Sequence, residues 1–116
     1  MSHPSPKEFR DAMRAFVGNC SVITVGEGAE ASGLVVTSAI SLSAEPPLLL
    51  ACVNRSSSSW PVLKQTGYFG WSSLGSAHQS VAERFSGMGG VKGPDRYLGS
   101  DWETAVTGAK LLVGAP

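Results

Sequence analysis

The sequence predicts a mainly β domain, a barrel with flanking helices on its outside. Three observations carry this reading. Short apolar runs suited to strands recur along the chain, glycine, proline and serine separate them, and only two segments carry full helix-start and helix-stop signals. At 116 residues the chain holds one domain, residues 1–116, and its 42% apolar and 16% charged residues favour a packed core over disorder.

The first element is a helix over "SPKEFRDAMRAFVG". Ser5 and Glu8 form a capping box, Pro6 suits the first turn, and Gly18 ends the run. Phe9, Ala12, Met13, Phe16 and Val17 share one face, which predicts a packing helix. "SVITV" follows as a strand and "GLVVTSAISLS" as a second, longer one. Between them Gly26, Gly28 and Ala31 match the G-x-G-x-x-A form of the dinucleotide fingerprint. That fingerprint needs a helix after it. A β-rich run starts instead at Gly33, so the segment reads as a hairpin loop.

Pro46 and Pro47 turn the chain, because neither can donate to a sheet ladder. "LLLACVN" then reads as a fully buried strand, "WPVLKQTG" as a short helix ending at Gly67, and "YFGWSSL" as a further strand. In that strand Tyr68, Gly70 and Ser72 alternate against Phe69, Trp71 and Ser73. "SAHQSVAERFSG" is the second fully marked helix, with a Ser76–Gln79 capping box, a buried face of Val81, Ala82 and Phe85, and Gly87 at its end. The glycine-rich "GMGGVKGPDRYLGSDWE" reads as a mobile loop anchored by Tyr97 and Trp102. "AKLLVGAP" looks like a strand just starting.

Nine basic side chains balance nine acidic ones, so electrostatics offer no case for nucleic acid or an anionic membrane. The polar N-terminus has no apolar signal core and no run is long enough to span a bilayer, which predicts a soluble, cytoplasmic protein. Cys20 and Cys52 read as a reduced pair, and with only His3 and His78 beside them no metal site is expected.

The unusual stretch is "CVNRSSSSWP", a strand running straight into four serines. A flexible tether would be longer and less tightly flanked. A nucleophile needs a base and an orienting acid, and the lone internal histidine, His78, sits in a helix first turn where solvent exposure is its ordinary state. Two readings stay open. In one, serine hydroxyls, backbone N–H groups, Asn54 and Arg55 cradle an anion, with Thr37, Ser38, Ser41 and Ser43 on a neighbouring strand lining the same groove. In the other, Ser58 or Ser59 caps the short helix and the rest face solvent.

The segments "FRDAMRAFVGNCSVITV", "GLVVTSAISLSAEPPLLLACVNRSSSSWPVL", "GYFGWSSL", "VAERFSG" and "DRY" occur in an order that resembles the flavin reductase family. Its flavin reductase-like domains serve as the small reductase components of two-component flavin-dependent monooxygenases. The resemblance runs from Phe9 to about Trp102. It implies an FMN-binding split β-barrel, a homodimer, and FMN or FAD bound beside the barrel. Val35 to Ser41 would lie along the flavin ring and ribityl chain, with Val36, Thr37 and Ser38 contacting the ring by backbone and side chain. Cys52 and Val53 lead into the loop where Asn54, Ser57, Ser58 and Ser59 would bind the ribityl-phosphate, and Arg84 and Phe85 would approach from a helix end. The implied reaction is hydride transfer from NADH or NADPH to the flavin, which needs no catalytic side chain because the flavin carries the redox chemistry. A separate oxygenase would take the reduced flavin. The other readings are a non-catalytic flavin-binding module, a pyridoxamine phosphate oxidase-like flavin oxidase, and an interaction domain without a ligand. Val35 departs from a common threonine, Ser72 from a frequent asparagine, and Trp71 is bulky beside it. Relatives also continue past the position of Pro116 into strands carrying a Gly-Asp-His-like segment, so the resemblance implies a barrel truncated at the C-terminus.

Overall fold

The computed structural model describes residues 3–14 and 20–116. At its centre lies β1, Ser21–Val25, buried at every position. Four β-branched side chains in a row suit a strand covered on both faces. β1 pairs antiparallel with β2, Ser32–Val36, on one side, setting Val22 opposite Val35 and Thr24 opposite Gly33. On its other side runs the strand Gly70–Ser73, with Ser72 opposite Val22 and Gly70 opposite Thr24. The expected alternation holds there: Gly70 and Ser72 are buried, Trp71 and Ser73 half-buried. The β1–β2 turn carries Gly26 and Gly28 at φ of 70° and 58° and a 3₁₀ turn at Gly28–Glu30. This antiparallel return bears out the hairpin-loop reading, and no dinucleotide-binding helix follows.

Two layers cover this sheet. On the Val22 face, Val22, Val81, Phe85 and Leu112 form a buried cluster joined by Val35, Tyr97 and Trp102. Val81 and Phe85 come from the helix Gln79–Phe85, while Leu112 comes from a C-terminal hairpin of Trp102–Thr104 with Lys110–Leu112. Phe85 lies so close to β2 that a Cβ on Gly33 would stand 2.5 Å from its ring and 2.7 Å from the Ile23 carbonyl oxygen. Only glycine fits there. On the opposite face Ile23, Val25, Val36 and Ala39 pack with Val62 and Leu63 of the helix Trp60–Thr66. As predicted, Gly67 ends that helix, at φ 74°.

Several expectations are corrected. The long strand from Gly33 breaks at residues 37–39, where Ala39 turns fully into the core. The chain resumes as β3, Ile40–Ser43, which pairs with β4, Leu48–Leu50, in a separate hairpin. The "LLLACVN" run is therefore not a buried strand. Leu48, Leu49 and Leu50 are 51, 38 and 45% exposed, because among the described residues nothing layers over the hairpin. Among those residues the strands form one three-stranded sheet and two hairpins, and no barrel closes.

The first helix, Pro6–Arg14, opens with its predicted capping box: Glu8 N–H donates to Ser5 Oγ and Ser5 N–H to Glu8 Oε1, both at 3.1 Å. Those bonds hold the Glu8 carboxyl below its ordinary range. On its predicted apolar face Phe9 and Ala12 are exposed, while Phe16, Val17 and Gly18 lie outside the described residues. The Ser76–Gln79 box does not form. Instead Ser76–His78 makes a 3₁₀ turn in which Gly75 N–H donates to His78 Nδ1 at 3.0 Å, so His78 is half-buried and engaged.

Beyond Gly87 the chain is built rather than featureless, with 3₁₀ turns at Met88–Gly90 and Gly93–Tyr97. Its predicted anchors hold it. Tyr97 and Trp102 pack on Phe85 with ring centroids 5.0 and 5.4 Å away, and Trp102 Nε1 donates to the Tyr97 carbonyl at 3.0 Å. The Tyr97 hydroxyl donates to the Ser32 carbonyl, and burial pushes its pKa far above the ordinary phenol value. The final strand, Lys110–Leu112, is fastened by Thr24 Oγ1 donating to the Lys110 carbonyl at 2.6 Å.

Candidate functional site

The break after β2 and the segment after β4 lie side by side. Cys52 N–H donates to Ser38 Oγ at 3.0 Å, and Ile40 pairs with Leu50 just beyond. The two hydroxyl clusters thus share one place, as a common groove requires. Thr37, Ser41, Cys52 and Asn54 are exposed there, and Val35, Ser38 and Val53 are half-buried. Val36 differs: its side chain is buried in the core, so only its backbone faces outward chemistry.

The serine loop is two successive turns. Ser57 N–H donates to the Asn54 carbonyl at 3.0 Å, and Trp60 N–H to the Ser57 carbonyl at 3.1 Å. Asn54 Oδ1 accepts from the Ser56 N–H (2.9 Å) and hydroxyl (2.8 Å), which pins its side chain and leaves the amide NH₂ without a bond from within the loop. Ser57 Oγ accepts from Ser59 N–H at 3.2 Å. Ser59 is fully buried and its Oγ meets Ser32 Oγ at 2.8 Å. Its hydroxyl fastens the loop to β2 and presents no open face, which corrects its place among the ligand-facing serines. It makes no side-chain cap to the following helix either. Ser58 and Arg55 remain exposed.

No aspartate or glutamate occurs between Glu45 and Glu83, while Arg55 and Lys64 lie in that interval. A loop with an exposed Ser58 hydroxyl, an amide, one guanidinium and no carboxylate suits a phosphate. The donor set therefore fits the phosphate end of a flavin.

The helix end behaves otherwise. Phe85 is 1% exposed and stacked in the core, so it cannot touch a ligand, a correction forced by the cover it gives Gly33. Arg84 turns toward the 3₁₀ segment, where Nε donates to the Arg96 carbonyl at 3.2 Å and Nη2 to Ser100 Oγ at 2.6 Å.

Clefts open on the surface of the described residues. One of about 340 Å³ lies between Ser41, Ser43, Leu48 and Leu49 of the hairpin and Trp71. The Trp71 indole N–H is buried without a partner among the described residues. A second, of about 280 Å³, runs from Trp71 to Leu111 and Pro116. The third, about 360 Å³, borders Ser58 and holds Lys92 and Arg96. Sequence reasoning did not single out those two cations; the "DRY" segment was the available signal. Among the described residues no group of three or more metal-ligating side chains gathers, and Cys20 and Cys52 are free thiols.

Residues 13–116 match the family model described as the flavin reductase like domain. The chain is 35% identical over 111 residues to FMN reductase (NADH) RutF 2 of Methylorubrum extorquens, covering 96% of the chain and 63% of that protein. It is 33% identical over 112 residues to the 4-hydroxyphenylacetate 3-monooxygenase reductase component of Pseudomonas aeruginosa, covering 97% and 66%. The solved NADH:FAD oxidoreductase SgcE6 of Streptomyces globisporus C-1027 superposes with a TM-score of 0.82 at 29% identity, covering 99% of the chain and 70% of that structure. The chain thus spans just under two thirds of the length of the two curated relatives.

Proposed function

The chain belongs to the flavin reductase-like domain family, and on that premise we propose that it reduces free FMN or FAD with NADH or NADPH and hands the reduced flavin to a separate oxygenase. The observation that carries the proposal is the Ser38–Cys52 contact, which sets a hydroxyl-bearing bend against an acid-free serine loop. We assign Asn54, Ser57 and Ser58, with Arg55, to the flavin phosphate. Thr37, Ser38 and the backbone of Val35 and Val36 line the ring side, with Ser41 and Cys52 at the groove's edge. The bound flavin supplies the hydride acceptor. What the chain supplies is orientation: a pinned Asn54 amide, turns that hold the serines in place, and an apolar wall under Val36 and Ala39. In this reading the sheet and hairpins are part of a split β-barrel, and the protein acts as a cytoplasmic homodimer. The names of the monooxygenase reductase component and of the NADH:FAD oxidoreductase support the reaction and the partner class.

The test is NADH oxidation by the purified chain with and without FMN. Turnover that requires FMN supports the reading; FMN binding without turnover makes the chain a flavin-binding module. Ser57→Asp keeps an acceptor for Ser59 N–H but sets a carboxylate against the phosphate. It should weaken FMN binding about tenfold, ~1.4 kcal/mol. Unchanged affinity would return the serines to a purely structural role.

A further inference from the structure

We propose that the buried Ser32–Ser59 pair sets the chain's preference for a phosphate-bearing flavin over riboflavin. Both are positioning residues: they hold the loop that meets the phosphate and act through Ser57. The identity of the ligand rests on the flavin-reductase reading, while the tie between the two serines is a feature of the fold itself.

The serine loop is tied down at both ends, and both ties lead to one strand. At its start Cys52 N–H donates to Ser38 Oγ, two residues beyond the end of β2. At its end Ser59 Oγ meets Ser32 Oγ, on the first residue of β2, at 2.8 Å. Among the described residues the hydrogen bonds of 54–58 stay within the loop and the helix start. The two ties therefore carry the placement of the loop against the sheet. They are not equivalent. The Ser38 contact is exposed, so water competes for both of its groups, whereas Ser32 and Ser59 are 5 and 0% exposed. A hydroxyl buried that deeply has no water to turn to if its partner is lost, so this bond is the one that fixes geometry.

One further bond carries the tie into the groove. Ser59 N–H donates to Ser57 Oγ at 3.2 Å, which fills one acceptor position of that hydroxyl and leaves its O–H as a donor. Ser57 is half-buried and is assigned above to the flavin phosphate. Hydrogen bonds to an anion are strong when short and well aligned, and they weaken steeply with misalignment. Ser32 is itself held: its backbone pairs with Val25 in the sheet, and its carbonyl accepts from the Tyr97 hydroxyl. A chain of contacts thus runs from the Phe85–Tyr97 stack, through β2, to the Ser57 hydroxyl. Riboflavin shares the ring and ribityl chain with FMN and lacks only the phosphate. Loosening the loop should therefore weaken FMN and spare riboflavin.

The test uses the full chain and its Ser32→Ala, Ser59→Ala and Ser32→Thr variants. Each is titrated with FMN and with riboflavin by flavin fluorescence, and its urea midpoint is measured alongside. We expect Ser32→Ala to weaken FMN about fivefold and riboflavin less than about twofold, as misaligning one charge-assisted bond would. Ser59→Ala should do the same, and the double alanine variant should be no worse than either single, because the two hydroxyls make one bond. Ser32→Thr keeps a hydroxyl and should hold FMN affinity within about twofold of wild type. If Ser32→Ala does not fold, Ser59→Ala carries the comparison. A purely structural tie would lower the urea midpoint and weaken FMN and riboflavin alike, and that result overturns the proposal. So does an unchanged ratio of FMN to riboflavin affinity in the alanine variants. A wild type that binds FMN no tighter than riboflavin overturns it too, while leaving the ring side of the flavin reading intact. Binding of neither flavin by the wild type overturns the proposal and the flavin reading together.

Discussion

The central sheet and the β3–β4 hairpin are built from the same kind of residue and end in opposite places. Val22, Ile23 and Val25 are at most 1% exposed, whereas Leu48, Leu49 and Leu50 stand 38 to 51% in the open. The strand β1 is covered by a helix on each face and by the aromatic trio of Phe85, Tyr97 and Trp102. Over the hairpin no layer lies among the described residues. An apolar run reveals that a segment gains from cover; whether it finds cover depends on elements distant in the chain.

That contrast can be broken from the covered side first. Phe85→Ala removes the ring that fills the space over Gly33 and should cost about 3–5 kcal/mol, read as a lower urea midpoint. Gly33→Ala attacks the same contact from the opposite wall, because its Cβ would collide with Phe85 and the Ile23 carbonyl. It should cost about 1–3 kcal/mol, and the double variant should fall short of the sum, since the two changes share one space. Tyr97→Phe leaves the ring stack but removes the hydroxyl bonded to Ser32. A loss of about 1–2 kcal/mol in the same urea assay is expected, with the near-ultraviolet spectrum of the aromatic cluster little changed.

The smallest effect belongs to the uncovered side. Leu49→Ser in β4 should move stability by no more than about 0.5 kcal/mol, because a side chain already in water loses little burial. A cost comparable to Phe85→Ala would show that the hairpin is covered in solution after all.

Local signals were legible wherever short-range physics decides. The Ser5–Glu8 capping box, Gly67 and Gly87 as helix ends, the hairpin in place of a dinucleotide fold, and Tyr97 and Trp102 as anchors all read directly from neighbouring residues. The site was half legible. The hydroxyl clusters at Thr37–Ser38 and in the serine loop announce themselves by composition, and the fold brings them together at Ser38 and Cys52. Arg84 and Phe85 could not be placed from the helix pattern, which gives a face but not what that face meets.

The sequence by itself determined where the first helix starts, where helices stop and where strands turn, because caps and glycine conformations act over a few residues. Only the tertiary structure decided that Ser59 is a buried bolt to Ser32, that Val36 faces the core, and that Arg96 reaches back to the Gly33 carbonyl. Each of those outcomes turns on a partner far away in the chain. Burial, unlike helix capping, is a property of two surfaces.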